Sequence, residues 1–342
     1  MKLIILLSTI LTVFSIQEAK DNYSLPSGKP VMDRQVMQEE KTESKIKFLK
    51  GGEIRIAGGD GNIAVRGWDR EFVELEIIKT GWGRNTRDAR KAIENTKIDI
   101  DSSSYKISIR VFEPSESVEV TSFWDLFKNR SWISSRVSLN LRVPEQVNLR
   151  LSADDGDIEV EGIEGDIKIF NEDGNIQLEG IKTFRTSIET DDGRIWISEL
   201  TLPDTSHNSS MNLESDDGDI NLSDIFVTEL NIIMDDGDLR IKNARFQKLY
   251  TYLDDGTAHM DFYPEINGKF RIHGDDGNLR LMLPENISME FDIISDNGDI
   301  YSDFPLTKKE TDSGNIATGI VGDGESYLKI DTDGGDIEIF IK

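Results

Sequence analysis

The chain has 342 residues, a formal charge of −26 at pH 7 and no cysteine. Without cysteine it has no disulfide, thiolate metal site or cysteine nucleophile, and its acidity argues against nucleic acid as a partner. The charge is uneven, because residues 1–150 carry 24 Lys and Arg against 21 Asp and Glu, whereas residues 151–342 carry 15 against 44. Their net charges of +3 and −29 assign the acidity to the C-terminal half.

The N-terminus begins with an apolar run over residues 3–16, broken only by serine and threonine. The run is too short to cross a hydrocarbon core of ~30 Å, and its position is typical of a secretory signal. We therefore interpret residues 1–19 as a signal peptide, with cleavage after Ser15 or Ala19, and a short anchor or buried helix as the alternative. This predicts an exported protein in the periplasm, at the cell surface or outside the cell, with no integral membrane segment in the mature chain.

Two further segments precede the acidic half. Residues 20–45 are polar, with proline, glycine and clustered charges, and are interpreted as a flexible leader. Residues 46–150 contain several stretches in which every second residue is aliphatic, which predicts strands. Within them, residues 86–96 carry alanine and isoleucine at helical spacing. We predict a β-rich N-terminal capping portion with one short helix, continuous with the part that follows.

Residues 151–342 repeat a pattern of two acidic residues, a glycine, a polar residue and an aliphatic residue, first seen at residues 154–158. The glycines are Gly156, Gly174, Gly193, Gly218, Gly237, Gly256, Gly277, Gly298, Gly314 and Gly335. A near-constant period of about 20 residues is typical of a solenoid, and the alternating aliphatic residues predict short strands joined at Asp-Gly corners. We predict an all-β fold, a parallel β-helix, with a hairpin meander as the alternative.

Three stretches resemble a known family. They are residues 63–69 (Ile-Ala-Val-Arg-Gly-Trp-Asp), residues 141–144 with 156–158, and the ending at residues 322–337. In this order they resemble the bacterial adhesin-like domain of unknown function, which is related to the head GIN domain of autotransporter-type adhesins. The resemblance covers about residues 46–342 and implies an exported, right-handed β-helix. The family offers no catalytic residues to assign, and this chain departs from it in its doubled aspartates.

The doubled acidic residues are candidate metal ligands. The second member of seven copies is Asp155, Asp173, Asp192, Asp217, Asp236, Asp255 and Asp276. In register these carboxylates would repeat every ~5 Å and repel by about 0.9 kcal/mol per pair even in water, which calcium would relieve. The favoured interpretation is Asp-Gly turn chemistry with charges screened by solvent, because the copies lack an EF-hand loop and the Gly-Gly-x-Gly-x-Asp repeat. A calcium edge is the alternative.

The most aromatic segment of the chain interrupts the N-terminal portion. Its aromatic residues are Phe123, Trp124, Phe127 and Trp132, with Lys128 and Arg130 beside them. We interpret it as a cap over the open end of the solenoid. The alternative is a contact patch for a partner protein, a glycan or a membrane surface.

The repeats indicate a scaffold rather than an enzyme. Acid–base hydrolysis needs two carboxylates in unlike environments, and here the copies are equivalent. Asp235, Asp236 and the Arg240–Lys242 stretch are superficially similar to a polysaccharide-cleaving site, but Gly-His-Gly is missing. We predict a non-enzymatic surface or periplasmic scaffold that binds a surface protein or glycan. A calcium-dependent binding module and a polysaccharide-acting enzyme are the alternatives.

Overall fold

In a computed structural model of the chain, the structure describes residues 13–17, 36–113, 133–203, 208–311 and 314–342. The N-terminal elements are β1 (Val13–Gln17), β2 (Val36–Lys47), β3 (Gly52–Ala57), β4 (Ile63–Trp68), β5 (Phe72–Gly83), α1 (Thr86–Asn95), β6 (Lys97–Ser102), β7 (Lys106–Phe112) and β8 (Ser134–Pro144).

The acidic repeats follow as a run of strands with short connections. These are β9 (Val147–Ala153), β10 (Ile158–Glu161), β11 (Ile167–Asn171), β12 (Ile176–Lys182), β13 (Arg185–Asp192), β14 (Ile195–Thr201), β15 (Ser210–Asp217), β16 (Ile220–Ile225), β17 (Glu229–Asp236), β18 (Leu239–Asp255), β19 (Ala258–Asp276) and β20 (Leu279–Leu283). The chain ends with β21 (Met289–Ser295), β22 (Ile300–Ser302), β23 (Thr307–Thr311), β24 (Gly314–Val321), β25 (Ser326–Thr332) and β26 (Ile337–Ile341).

Two parallel ladders run along the molecule. Ladder A stacks β4, β10, β12, β14, β16, the first part of β18, the first part of β19, β20 and β26. Ladder B stacks β3, β9, β11, β13, β15, β17, the later parts of β18 and β19, and β25. Each coil gives one strand to each ladder, which confirms the predicted all-β solenoid. The hairpin meander is excluded because the strand pairings within both ladders are parallel.

The coil order departs from the chain order at both ends. The first strand pair, β3 and β4, lies between β7 and β8 on one side and β9 and β10 on the other. The last pair, β25 and β26, lies between β19 and β20 on one side and β21 and β22 on the other. Coils from the two ends of the described solenoid are therefore held from both sides.

Antiparallel strands and one helix complete the ends. Strand β8 pairs with β5, β5 with β2, and β2 with β1, while β24 joins β21 to β23 at the other end. The predicted helix is confirmed as α1, whose first turn is capped by the Asn85 side chain at 3.0 Å from the backbone amides of Arg87 and Asp88. Ala89 and Ile93 pack inward from it.

Strand β2 changes one boundary of the sequence analysis. It begins at Val36 and pairs along its length with β5, so residues 36–45 of the expected flexible leader are ordered. Its residues suit this place because Lys41 and Lys45 form ion pairs with Glu76 and Glu74 on β5. Strand β1 lies within the residues interpreted as a signal peptide.

The core lies between the two ladders. In the strands of the two ladders side chains are buried in alternation, and the buried aliphatic residues form one continuous cluster. Where β18 packs on β19, three phenylalanines fill the interior. The ring centroids of Phe246 and Phe262 are 4.8 Å apart, and those of Phe262 and Phe270 are 5.4 Å apart. Within the described ranges, no helix has the length and apolar character needed to cross a membrane.

Candidate functional site

The repeated glycines form a column along one edge of the solenoid, where each ladder B strand turns into a ladder A strand. We call this the corner edge. A Cβ added at Gly218 would overlap the carbonyl oxygen of Gly193, and one at Gly277 would overlap that of Gly256. The column runs through Gly61, Gly156, Gly174, Gly193, Gly218, Gly237, Gly256, Gly277, Gly335 and Gly298. Glycine is required because the coils approach backbone to backbone.

One predicted corner was wrong. Gly314 begins β24, which runs antiparallel to β21 rather than into ladder A. A Cβ at Gly314 would meet the Ser295 carbonyl oxygen instead of another corner glycine. The repeat motif is therefore reused at the end of the molecule as the start of an antiparallel strand.

Where an aspartate or asparagine follows the corner glycine, as at Asp157, Asn278 and Asp336, its side chain holds neighbouring coils together. The Asp157 carboxylate accepts a hydrogen bond from the backbone amide of Asn175 in the next coil, at 3.0 Å. The Asn278 side chain accepts from the Asp336 amide at 2.9 Å, and the Asp336 carboxylate accepts from the Asp299 amide at 2.9 Å. Acceptors at this position replace a missing strand hydrogen bond at the turn.

The corner edge brings the predicted acidic residues into columns. Asp192, Asp217 and Asp236 are register neighbours on β13, β15 and β17, and Asp255 is opposite Asp276. Partial desolvation raises the pKa of Asp236, and the charges of Asp217 and Asp255 raise it further. The stacked carboxylates therefore oppose each other in the folded state.

The first members of the acidic pairs form a parallel column. The Asp154 charge raises the pKa of Glu172, assisted by desolvation and by Asp191. Desolvation, followed by the charges of Asp191 and Asp235, raises the pKa of Asp216. The carboxylates of this column therefore repel their neighbours within the same column.

The structure does not test the calcium alternative. Among the described residues, no three Asp, Glu or His side chains converge at a point suited to a metal ion. The seven predicted aspartates lie along the edge rather than around one centre, and calcium binding there stays a prediction. The predicted contact patch of Phe123, Trp124, Phe127 and Trp132 lies outside the described residues.

The outward face of ladder A carries a groove of about 830 Å³. Alternation along each strand points these side chains to solvent, and the parallel register stacks them in a column along the solenoid axis. That column contains Gln177, Trp196, Asn221, Arg240, His259 and Arg280. We call this surface the ladder A groove. Ser198, Ser223, Lys242, Asp261 and Met282 also line it.

The groove is basic and aromatic in an acidic molecule. Asp261 is its one acidic lining residue, and the Lys342 ammonium is paired with it. Trp196 is 38% exposed, and the Arg194 guanidinium lies 6.0 Å from its ring centroid. The Arg240 guanidinium is held at 2.6 Å by the Asp238 carboxylate at the corner.

A family model matches residues 52–340 of the chain, under the description Toastrack DUF4097. The chain belongs to the Toastrack DUF4097 family. This confirms the resemblance to an adhesin-like domain of unknown function that the sequence indicates. No curated protein matches the chain.

Solved structures similar to this Toastrack chain include proteins from Parabacteroides distasonis and Bacteroides fragilis. A candidate lipid-binding protein from Parabacteroides distasonis has 11% identity and a TM-score of 0.48, covering 88% of this chain and 96% of that one. A candidate adhesin from the same species has 12% identity and a TM-score of 0.43, covering 87% and 96%. A candidate adhesin from Bacteroides fragilis has 9% identity and a TM-score of 0.39, covering 88% and 97%.

Most of the groove of this Toastrack protein is not apparent from the sequence. Arg240 and Lys242 were singled out, but only as part of a superficial enzyme-like pattern with Asp235 and Asp236, which lie at the corner edge instead. The available signal was the third residue after each corner glycine. Because its side chain varies from Gln to Trp to Arg between copies, it does not stand out as a repeat.

Proposed function

We propose that this protein is an exported, non-enzymatic binding protein, a scaffold at the cell surface or in the periplasm whose ladder A groove is the binding surface. The observation that carries the proposal is the groove itself. It gathers an exposed tryptophan, amides, hydroxyls and cationic side chains on a rigid strand face, a combination typical of ligand recognition. The apolar N-terminal run supports export, and the resemblance of the sequence to an adhesin-like domain supports a surface role.

The corner edge supports a binding function over an enzymatic one. Its carboxylates share one environment and raise one another's pKa, as at Glu172 and Asp216, instead of diverging into an acid and a base. A polysaccharide-acting enzyme would release new reducing ends from acidic glycans, whereas we expect no such release.

The proposal is tested by probing a glycan array and purified surface proteins with the full chain and with two variants. Trp196→Ala removes the exposed ring from the groove, and Tyr250→Ala removes an exposed ring from the outward face of ladder B as the matched control. We expect at least one ligand to be lost in Trp196→Ala and kept in Tyr250→Ala. Ligands that bind all three proteins equally would contradict the groove as the binding surface.

Repeating the array with calcium and with a chelator tests the calcium-dependent alternative. Export is tested by expressing the full chain in a bacterium, separating its compartments and sequencing the N-terminus of the product. We expect the protein outside the cytoplasm with an N-terminus after Ser15 or Ala19. An uncleaved chain that stays in the cytoplasm would contradict export.

A further inference from the structure

Two grooves of similar size lie on the strand faces, and they differ in the sign of the charge that lines them. The N-terminal groove, about 900 Å³, is lined by charged side chains that pair among themselves. Lys45 lies 2.7 Å from the Glu74 carboxylate, and Arg66 lies 3.9 Å from that of Glu159. The ladder A groove is lined by three permanent cations and by Asp261, which pairs with Lys342. Carboxylates at its border engage the two arginines, which leaves the Lys242 ammonium for a ligand. Its charge calls for an anionic ligand.

We infer that the ladder A groove binds an extended anionic polysaccharide, one whose sugars carry carboxylates, lying across the strands along the solenoid axis. This deepens the proposed function and rests on it. The cationic and neutral donors of the groove come one from each coil, with Arg240, His259 and Arg280 as consecutive register neighbours. Coils are spaced at about 4.8 Å, so the ligand meets a new donor at that interval.

The spacing favours a glycan over an acidic peptide. An extended peptide presents side chains on one face only every second residue, about 6.8 Å, which does not match one donor per coil. Each linked pyranose ring spans roughly one coil spacing and carries hydroxyls around its edge, so every ring can meet a polar side chain of the groove, while the carboxylates of the rings turned toward the protein meet its cations. Coil spacing thus makes the groove a better template for sugars than for amino acids.

The other groove residues fit the uncharged parts of such a ligand. The Trp196 ring is partly exposed at the end of the groove away from Arg280, and an aromatic face of this kind packs on the C–H face of a sugar. Asn221 and Gln177 lie in the same column and can donate to and accept from hydroxyls. A repeating sugar would therefore stack at one end and pair its carboxylates at the other.

Lys242 is the groove cation whose substitution tests ligand binding most directly. Arg240 and Arg280 are already engaged by Asp238 and Glu338, at 2.6 and 3.7 Å. Lys242 lines the groove and has no carboxylate partner in the part of the chain that the structure describes. Its ammonium is therefore available to a ligand, and its removal breaks no ion pair within the described fold.

The test measures binding of the full chain to an oligogalacturonate by calorimetry, beside its methyl ester, which has the same backbone without charge, and polyglutamate, which has the charge without sugar. Lys242→Gln and Trp196→Ala are compared with Arg271→Gln and Tyr250→Ala, outward register neighbours on ladder B. We expect the ester and each groove variant to bind about tenfold more weakly, the loss of one charge-assisted contact or one stacking surface. The ladder B variants should bind as the parent does, and added salt should weaken binding.

Other results separate the two proposals. If the ester binds as tightly as the acid and Trp196→Ala still weakens both, the groove is a binding surface but the anionic class is wrong. Tighter binding of polyglutamate, lost in Lys242→Gln, overturns the glycan in favour of an acidic peptide. If no probe binds and the wider array shows no ligand sensitive to Trp196→Ala, the inference and the proposed function both fail.

Discussion

The N-terminal region, residues 36–113 and 133–150, and the corner edge treat charge in opposite ways. On the strand faces of the N-terminal region carboxylates meet cations, as Glu76 meets Lys41 and Glu53 meets both Arg55 and Arg150. Asp60 and Glu113, whose pKa values burial raises, lie instead at the first corner. The side-chain hydrogen bond from Arg55 lowers the pKa of Glu53, and that from Lys41 lowers the pKa of Glu76. At the corner edge carboxylates meet carboxylates, and the resolved shifts are upward.

The difference follows from how each surface is made. Antiparallel strands such as β2 and β5 bring together residues from unrelated parts of the sequence, so opposite charges can be chosen for each pair. A solenoid stacks the same position of each copy on itself, so a residue selected for its turn geometry is placed beside its own kind. Asp-Gly favours the turn at a single corner. When it is repeated in successive coils, its carboxylates stack and repel one another.

The largest effect is expected from the glycine column. Gly218→Ala forces a Cβ into the Gly193 carbonyl, and we expect it to lower the free energy of unfolding by about 3 kcal/mol, as severe overpacking does. Gly274→Ala is the matched control, because its nearest neighbours would be 3.6 Å from a Cβ. Denaturant titration measures both. Equal stability of the two variants would show that the corners have room to relax.

The second largest effect is expected from lowering the pH, which should change the stability of the two regions in opposite directions. The raised pKa values of Glu172, Asp216 and Asp254 mean that the folded corner edge holds protons more tightly than the unfolded chain, so its stability falls as pH rises through those values. The lowered pKa values of Glu53 and Glu76 give stability that is present at neutral pH and lost as pH falls through them. Lowering the pH from neutral through the raised pKa values should stabilise the coils, and a further fall through the lowered pKa values of Glu53 and Glu76 should weaken the N-terminal region.

Hydrogen exchange measured by mass spectrometry checks this, because it reports protection for each segment separately. High salt at pH 7 should imitate mild acid at the corner edge by screening the carboxylates. Segments that gain and lose protection together at every pH would contradict a regional difference in charge.

A smaller effect is expected from the polar column beside the glycines. Asp157→Ala removes the acceptor of the Asn175 backbone amide at 3.0 Å and of the Asn175 side-chain amide at 3.1 Å, and should cost about 1 kcal/mol of unfolding free energy. Asp157→Asn keeps an oxygen acceptor at the same place and should restore most of the loss. No rescue by asparagine would mean that the charge, rather than the hydrogen bond, matters there.

The smallest expected effects are two changes in melting temperature, one from each region, which should have opposite signs. Glu76→Gln loses the Lys41 ion pair and should lower the melting temperature slightly, since exposed pairs contribute less than about 1 kcal/mol. Asp236→Asn removes a charge that Asp217 and Asp255 oppose, and should raise the melting temperature slightly. Two changes of the same sign, measured by calorimetry, would show that the two surfaces do not differ in this way.

Much of the fold could be predicted because repetition makes local signals unambiguous. The spacing of the glycines and the aliphatic alternation specify strands, corners and stacking, and they place Asp192 beside Asp217 before any coordinates are known. Position in a repeat does not specify what is unique to one copy. The groove depends on Trp196, Arg240 and Arg280, whose shared place emerges only from the register of ladder A. Gly314 shows the converse, since its local motif matches the others but its neighbours do not.

The placement of β3–β4 and β25–β26 inside the stack has a consequence for how such a molecule can change in length. Adding a coil beyond the first or last strand pair would not extend the rod, because those pairs are already enclosed by their neighbours. We therefore expect duplication or loss of a unit to be tolerated in the middle, between β9 and β20, where chain order and spatial order agree. The two enclosed coils form constant ends of the solenoid. The number of coils between them therefore sets the length of the groove.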